Sequence, residues 1–251
     1  MTDHVAVTHD GAVRIIRMQR TDKKNALTQQ MYRAMATALD AAQRDATVRC
    51  VVIAGSPGAF TAGNDMEDFL KASEAAGHPL AAALEFLRAL VRCRKPVVAA
   101  VDGLAVGIGT TMLFHCDHVV ASSGSTFRTP FIQLGLVPEG ASSLLAPRLM
   151  GHQRAFSLLV LGRPIDADAA HQAGLVNTLT PPGHADAEAL KTASDIAALP
   201  PEAVRLSIGL IRPPAEEVLG RIDAEAELFV ERMRSPEAKA AFTAFLSRKK
   251  A

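Results

Sequence analysis

Phe60-Thr61-Ala62-Gly63-Asn64-Asp65 and Gly103-Leu104-Ala105-Val106-Gly107-Ile108-Gly109 are the two stretches on which the reading of the fold turns. Gly63 and the glycines at 103, 107 and 109 let the backbone approach a neighbour or a ligand closely, since no Cβ stands in the way. A helix beginning near Gly109 leaves N–H groups without intrahelical partners, and such groups attract an anion. On these residues alone, tight turns are the better account, because isolated glycines are weak signals.

Outward from these stretches, the chain alternates strands and helices. Val13–Met18 is β-branched enough for a strand, Thr28 can cap a helix bearing Met31, Met35, Leu39 and Ala42 on one face, and Cys50–Ala54 reads as a buried strand. The order recurs with a helix over 80–92 before a strand over 96–101, and a helix over 109–115 before a strand over 119–121. Such repetition predicts an α/β fold with largely parallel pairing. From about Pro181 glycine becomes scarce, and two packed helices are expected. Val218, Leu219, Ile222, Ala226, Phe229, Val230 and Met233 share one helical face, and Ala238, Ala241, Phe242 and Phe245 another. These faces require burial against the chain's own core or a neighbouring subunit.

Composition narrows the function classes. With 251 residues, 49% of them hydrophobic, and a net charge of +1, the chain can bury a large core but lacks the basic excess of a nucleic-acid binder. Cys50, Cys93 and Cys116 have no Cys-x-x-Cys spacing and read as reduced core thiols of a cytoplasmic protein. No leader or membrane span is expected. The glycine order is not that of a dinucleotide fingerprint, and no phosphate-binding Gly-Lys loop occurs. His115-Cys116-Asp117-His118 reads as a helix end followed by a strand, so no metal site is expected. His152 and His171 sit in amphipathic stretches and are assigned no chemistry.

The two opening stretches resemble the oxyanion-hole segments of the crotonase (enoyl-CoA hydratase/isomerase) superfamily, and the similarity extends from about Val13 to Leu179. It implies a crotonase spiral of repeated strand-strand-helix units over 1–195, followed by a helical oligomerisation region over 196–251, assembled as a trimer or a dimer of trimers. It makes the backbone N–H groups of Asn64 and Ile108 the oxyanion donors for a thioester enolate, each contributing roughly 3 kcal/mol. Lys23-Lys24-Asn25-Ala26-Leu27 resembles the family's coenzyme-A-contacting turn. Coenzyme A, part of the substrate rather than a cofactor, is therefore expected near Lys23, Lys24 and the loop of Ala62, Gly63, Asn64 and Asp65. Asp65 is expected to brace that loop. Met66, Phe69 and Leu70 are candidate walls of an acyl pocket.

Two departures from the hydratase pattern narrow the reaction. Where hydratases carry two water-activating glutamates, this sequence places Thr111 and Phe131, neither of which can take a proton from water at neutral pH. Instead, Leu134-Gly135-Leu136-Val137-Pro138-Glu139-Gly140 resembles the Δ3,Δ2-enoyl-CoA isomerases, whose base is the glutamate of the Pro-Glu-Gly segment. That role falls on Glu139, with Phe131, Leu134, Leu136 and Val137 expected to desolvate it and raise its pKa. Moving a double bond from C3 to C2 needs a proton removed at C2 and returned at C4, which one carboxylate can do. The alternatives are hydration, hydrolysis or decarboxylation through the same enolate, or a non-catalytic binding homologue. An RNA-binding version of the last would need a basic helical face, and 29–45 offers only Arg33 and Arg44.

Overall fold

The structure is a computed structural model of the full chain and describes residues 2–68 and 78–248. Ten strands form two sheets among the described residues. The larger contains β1 (Val5–Asp10), β2 (Val13–Met18), β3 (Cys50–Ala54), β5 (Val97–Val101), β7 (His118–Ser122) and β10 (Thr178–Thr180), in the order β1-β2-β3-β5-β7-β10. Only its β1–β2 hairpin is antiparallel. The smaller has the order β4-β6-β8-β9, from β4 (Ala59–Thr61), β6 (Leu104–Val106), β8 (Thr126–Arg128) and β9 (Ile165–Asp166), with β9 alone antiparallel.

Each turn of the chain therefore gives one strand to each sheet: β3 then β4, β5 then β6, β7 then β8. Residues of β3 and β5 are buried throughout, which is why both read as continuous Val/Ile/Ala runs. The second strand of each turn is only three residues long and carries no period-two signal, so the residue pattern alone showed strand, helix, strand.

The helix α1 (Gln29–Arg44) starts where expected. The Thr28 hydroxyl accepts from Met31 N–H at 3.3 Å, and Met31, Met35, Leu39 and Ala42 are all buried beneath it. The next helix is α2 (Ala81–Arg92), which packs against α1. The segment expected as one helix over 109–115 is a single turn, α3 (Ile108–Thr111), tightening into a 3-10 turn over Met112–His115. After it come α4 (Ser142–Met150), α5 (His152–Leu159) and α6 (Ala167–Gln172).

The C-terminal part corrects the expectation of two helices. Four are present: α7 (Ala185–Ala198), α8 (Pro201–Ile211), α9 (Ala215–Met233) and α10 (Pro236–Arg248). Prolines account for the division, since each of Pro201 and Pro236 opens a helix and Pro213-Pro214 separates α8 from α9. Of the two ways to bury the α9 stripe, the chain uses its own core. Val218, Leu219, Ile222, Ala226, Phe229 and Met233 are buried, with Phe229 edge-on to Phe131 at 6.4 Å between ring centroids. Ala238 and Phe242 of α10 are buried too, while the side chain of Phe245 lies outside the described residues.

Candidate active site

The site begins with the turn after β2. Lys24 and Asn25 both adopt left-handed backbone (φ 50° and 55°), and buried Asn25 donates to Ala59 O at 2.8 Å and Phe60 O at 3.2 Å. The loop after β4 is tied back by Ala62 N–H to Lys24 O, Leu27 N–H to Gly63 O and Asp65 N–H to Leu27 O, all within 2.8–2.9 Å. Lys23 and Lys24 thus stand exposed beside Ala62, Gly63 and Asp65, as the sequence predicts. Asp65 braces the loop: it accepts from Arg20 at 2.6 Å and from the N–H groups of Glu67 and Asp68 at 3.0 Å. Burial alone would raise its carboxyl, but the Asp68 N–H and the Arg20 guanidinium outweigh that and hold it below its usual range.

The two glycine-bearing segments touch. Gly63 has φ +83°, and a Cβ there would sit 2.7 Å from Val106 O; one on Gly109 would sit 2.4 Å from Thr61 Cγ2. Glycine at 63 is thus required twice over, by backbone sign and by space. Leu27 brackets Asn64 with bonds to both neighbours, so the Asn64 N–H faces away from that pairing, and Ile108 N–H belongs to the unsatisfied first turn of α3. Among the described residues neither N–H has a hydrogen-bond partner.

Both residues line one cavity with Glu139. Its other walls are Leu80, Ala83, Leu84 and Leu87 of the α2 side and Ile222, Ala226 and Phe229 of α9. The Glu139 carboxylate accepts a hydrogen bond from the Thr111 hydroxyl. Burial raises its pKa from 4.5 to about 8, with the Thr111 bond opposing and the charge of Glu225 adding to the rise. Glu139 sits on a turn in which Gly140 (φ 68°) and Ala141 (φ 57°) are both left-handed, and His115 Nε2 braces that turn against Gly140 O at 2.7 Å. Burial pushes His115 down to about 4, so the ring is neutral and donates.

The raised carboxyl has a consequence for stability. The folded chain binds this proton more tightly than the unfolded one, so the contribution is fully present below pH 4.5 and is lost as pH rises through about 8. Glutamine never ionises. Glu139→Gln is therefore expected to stabilise the fold by on the order of 3 kcal/mol at alkaline pH, and by little in mild acid. Part of Glu139 still meets solvent, which trims this below the full pKa difference. Thermal melts at two pH values check it, and a pH-independent difference in Tm would contradict it.

Some expected residues stand further back. Phe131 is buried behind Phe229 and Leu136 lies in the main core, so neither is among the cavity's lining residues; the apolar walls around Glu139 come mostly from α2 and α9. Leu134 and Val137 pack partly buried on the same core. Met66 is partly buried against the core as well, and Phe69 and Leu70 lie outside the described residues. Other contributors were not visible in the sequence. Fully buried Tyr32 donates to Asn64 Oδ1 at 2.5 Å, which fixes the side chain of an oxyanion-donor candidate. Tyr32→Phe is expected to lower stability by about 1 kcal/mol through the lost bond, as a shift in denaturant midpoint at constant slope. Thr111, which in the sequence only replaces a hydratase glutamate, is the donor that holds Glu139.

Asn64 and Ile108, each with an unpaired N–H, thus share a cavity with one raised carboxyl. Residues 8–251 match the family described as enoyl-CoA hydratase/isomerase. The chain belongs to the enoyl-CoA hydratase/isomerase family. A crystal structure of an enoyl-CoA hydratase/isomerase from Pseudoalteromonas atlantica T6c superposes with a TM-score of 0.92 at 39% identity, covering 98% of each chain. Enoyl-CoA delta isomerase 2 of Rattus norvegicus is 36% identical over 98% of this chain, which spans 64% of that relative's length. Family membership does not fix one reaction, because 4-chlorobenzoyl coenzyme A dehalogenase-2 of an Arthrobacter species is 31% identical over 86% of this chain and 80% of its own length. Within the family, the crotonase fold is that of the two-sheet spiral described above. Among the described residues no cluster of three or more potential metal ligands occurs, and no helix is long and apolar enough to cross a membrane.

Proposed function

We propose that the protein is a Δ3,Δ2-enoyl-CoA isomerase. The observation that carries this reading is that, among the described residues, Glu139 is the one carboxylate lining the cavity shared with Asn64 and Ile108, with Thr111 where a hydratase would place a second. In this mechanism the thioester oxygen lies between the two N–H groups, which stabilise the charge that develops when C2 loses its proton. Glu139 takes that proton and returns it to C4 of the dienolate. A carboxyl with a pKa of about 8 suits both steps, since its conjugate acid holds the proton between them and its carboxylate is a stronger base than an exposed one. The leucines of α2 and the α9 side chains exclude water, which would otherwise quench the dienolate.

Lys23 and Lys24, exposed beside the loop, are offered to the phosphates of coenzyme A. A trimeric assembly is part of the proposal, and Leu210 and Ile211 of α8, 87% and 80% exposed, supply apolar surface for a subunit contact. A panel of 3-enoyl-CoA thioesters of varied chain length, followed for isomerisation and hydration together, tests the reading. Isomerisation should dominate on every thioester accepted. Rapid water addition to crotonyl-CoA would favour the hydratase alternative.

A further inference from the structure

Glu225 lies on α9 between the cavity-wall residues Ile222 and Ala226 and far in sequence from the segment that carries Glu139, yet it is 5% exposed and reaches the turn on which Glu139 sits. Its Oε2 accepts from Ala141 N–H at 2.6 Å and its Oε1 from Ser143 N–H at 3.0 Å. Ala141 is the left-handed residue preceding α4, a conformation costly for a non-glycine residue and held only when its surroundings impose it. No side chain of α4 caps its own N-terminus, so Glu225 takes the place of a local cap from a distant helix. Burial raises the Glu225 carboxyl above its usual range, and the Ser143 and Ala141 N–H donors, one to each oxygen, oppose that rise; when ionised it sets a negative charge near the Glu139 carboxyl.

We infer that Glu225 is a positioning residue for the reaction: its carboxylate clamps the Gly140–Ser143 turn so that Glu139 faces the cavity. Its charge, when present, adds to the rise in the Glu139 pKa that burial causes. The inference rests on the reading of Glu139 as the base. Because α9 also supplies Ile222, Ala226 and Phe229 to the cavity wall, the same helix shapes the pocket and sets the base. Other polar and titratable groups among the described residues surround the pair. Thr111 of α3 bonds Glu139, the Tyr32 phenol of α1 is raised by burial first and then by the charges of Glu139 and Asp68, and neutral His115 bonds Gly140 O. On α9 itself, Arg221 bonds Ser143 Oγ at 3.3 Å and partly offsets the Glu225 charge.

The test is Glu225→Gln beside Glu225→Asp. Glutamine keeps the shape but removes the charge and turns an NH2 toward one N–H donor; aspartate keeps the charge but is too short to hold both bonds. For Glu225→Gln, kcat is expected to fall by on the order of 100-fold with KM nearly unchanged, because misplacement of the base rather than loss of binding is the defect. The limb of the pH profile that rises with Glu139 ionisation should move to lower pH, since a neighbouring negative charge is gone. In Glu225→Asp that limb should stay near its wild-type position while kcat remains low. Glu139 titration, followed by 13C-carboxyl NMR with Glu139→Gln as the blank, needs no turnover and should show the same downward move in the Gln variant. Wild-type kcat and an unmoved Glu139 titration in Glu225→Gln would overturn the inference. A wild-type protein inactive on 3-enoyl-CoA would instead sink the isomerase reading while the titration still reports on the clamp. If the Gln variant does not fold, amide exchange at Ala141 and Ser143 in the Asp variant decides. Faster exchange with reduced kcat is expected, and wild-type values of both would overturn the clamp.

Discussion

Glu139→Gln is expected to abolish isomerisation of 3-enoyl-CoA thioesters, lowering kcat by on the order of 10,000-fold, the upper range for loss of a general acid–base group. Glutamine fills the same space and can accept from Thr111, so the cavity and the N–H groups of Asn64 and Ile108 remain in place. Only proton transfer is lost. The size of the effect follows from the lack of a substitute, since among the described residues that line the cavity Glu139 is the only one that titrates. KM should change little, because the lysines and the loop offered to coenzyme A are untouched. Steady-state kinetics on the variant check this, and its higher stability in alkaline solution guards against misfolding as the cause. Retained turnover would remove Glu139 from the mechanism.

The second large effect is expected at Gly63, which carries no functional atom beyond its backbone. In Gly63→Ala the new Cβ meets Val106 O at 2.7 Å, and backbone against backbone leaves little room to give. The loop after β4 and the segment leading into α3 must part, so that Asn64 N–H and Ile108 N–H no longer converge on one oxygen. Loss of one such donor costs on the order of 100-fold in kcat. Gly58 supplies the control: its φ of +84° matches the +83° of Gly63, but a Cβ there meets nothing within 4 Å. Gly58→Ala therefore carries the same conformational penalty, about 1 kcal/mol of stability, without separating the two donors. Equal losses of kcat in the two variants would show that strain, not donor geometry, is responsible.

Much of this was legible in the sequence where chemistry and local pattern coincide. The β-branched runs of β2 and β3, and the Thr28 cap with its Met31/Met35/Leu39 face, follow from short-range rules, and the structure places them where those rules do. The two glycine-bearing segments and Glu139 carry motifs that survive as sequence, and the structure brings Asn64, Ile108 and Glu139 to one cavity. What was not legible depends on contacts between distant positions. Tyr32, Thr111 and Glu225 are ordinary residue types in helical stretches, and only folding sets Tyr32 beside Asn64, Thr111 beside Glu139 and Glu225 beneath Ala141. Phe131, Leu134, Leu136 and Val137, the apolar residues near Glu139 in sequence, are not among the described lining of its cavity, whereas Leu84 and Leu87 of α2 and Leu80 just before it, with no chemical signature, supply apolar walls. The residue pattern does not show the three-residue strands of the smaller sheet, whose alternation is too short to register, and only the family resemblance implies the strand-strand-helix unit.

The central claim is that one carboxylate moves a proton from C2 to C4 and that no water is added. Incubation of the purified protein with a 3-enoyl-CoA thioester in 18O-labelled water, with products read by mass spectrometry, tests it directly. The account predicts 2-enoyl-CoA as the initial product, free of the label, with formation lost in Glu139→Gln. Labelled 3-hydroxyacyl-CoA appearing at a comparable initial rate, and persisting in Glu139→Gln, would contradict it.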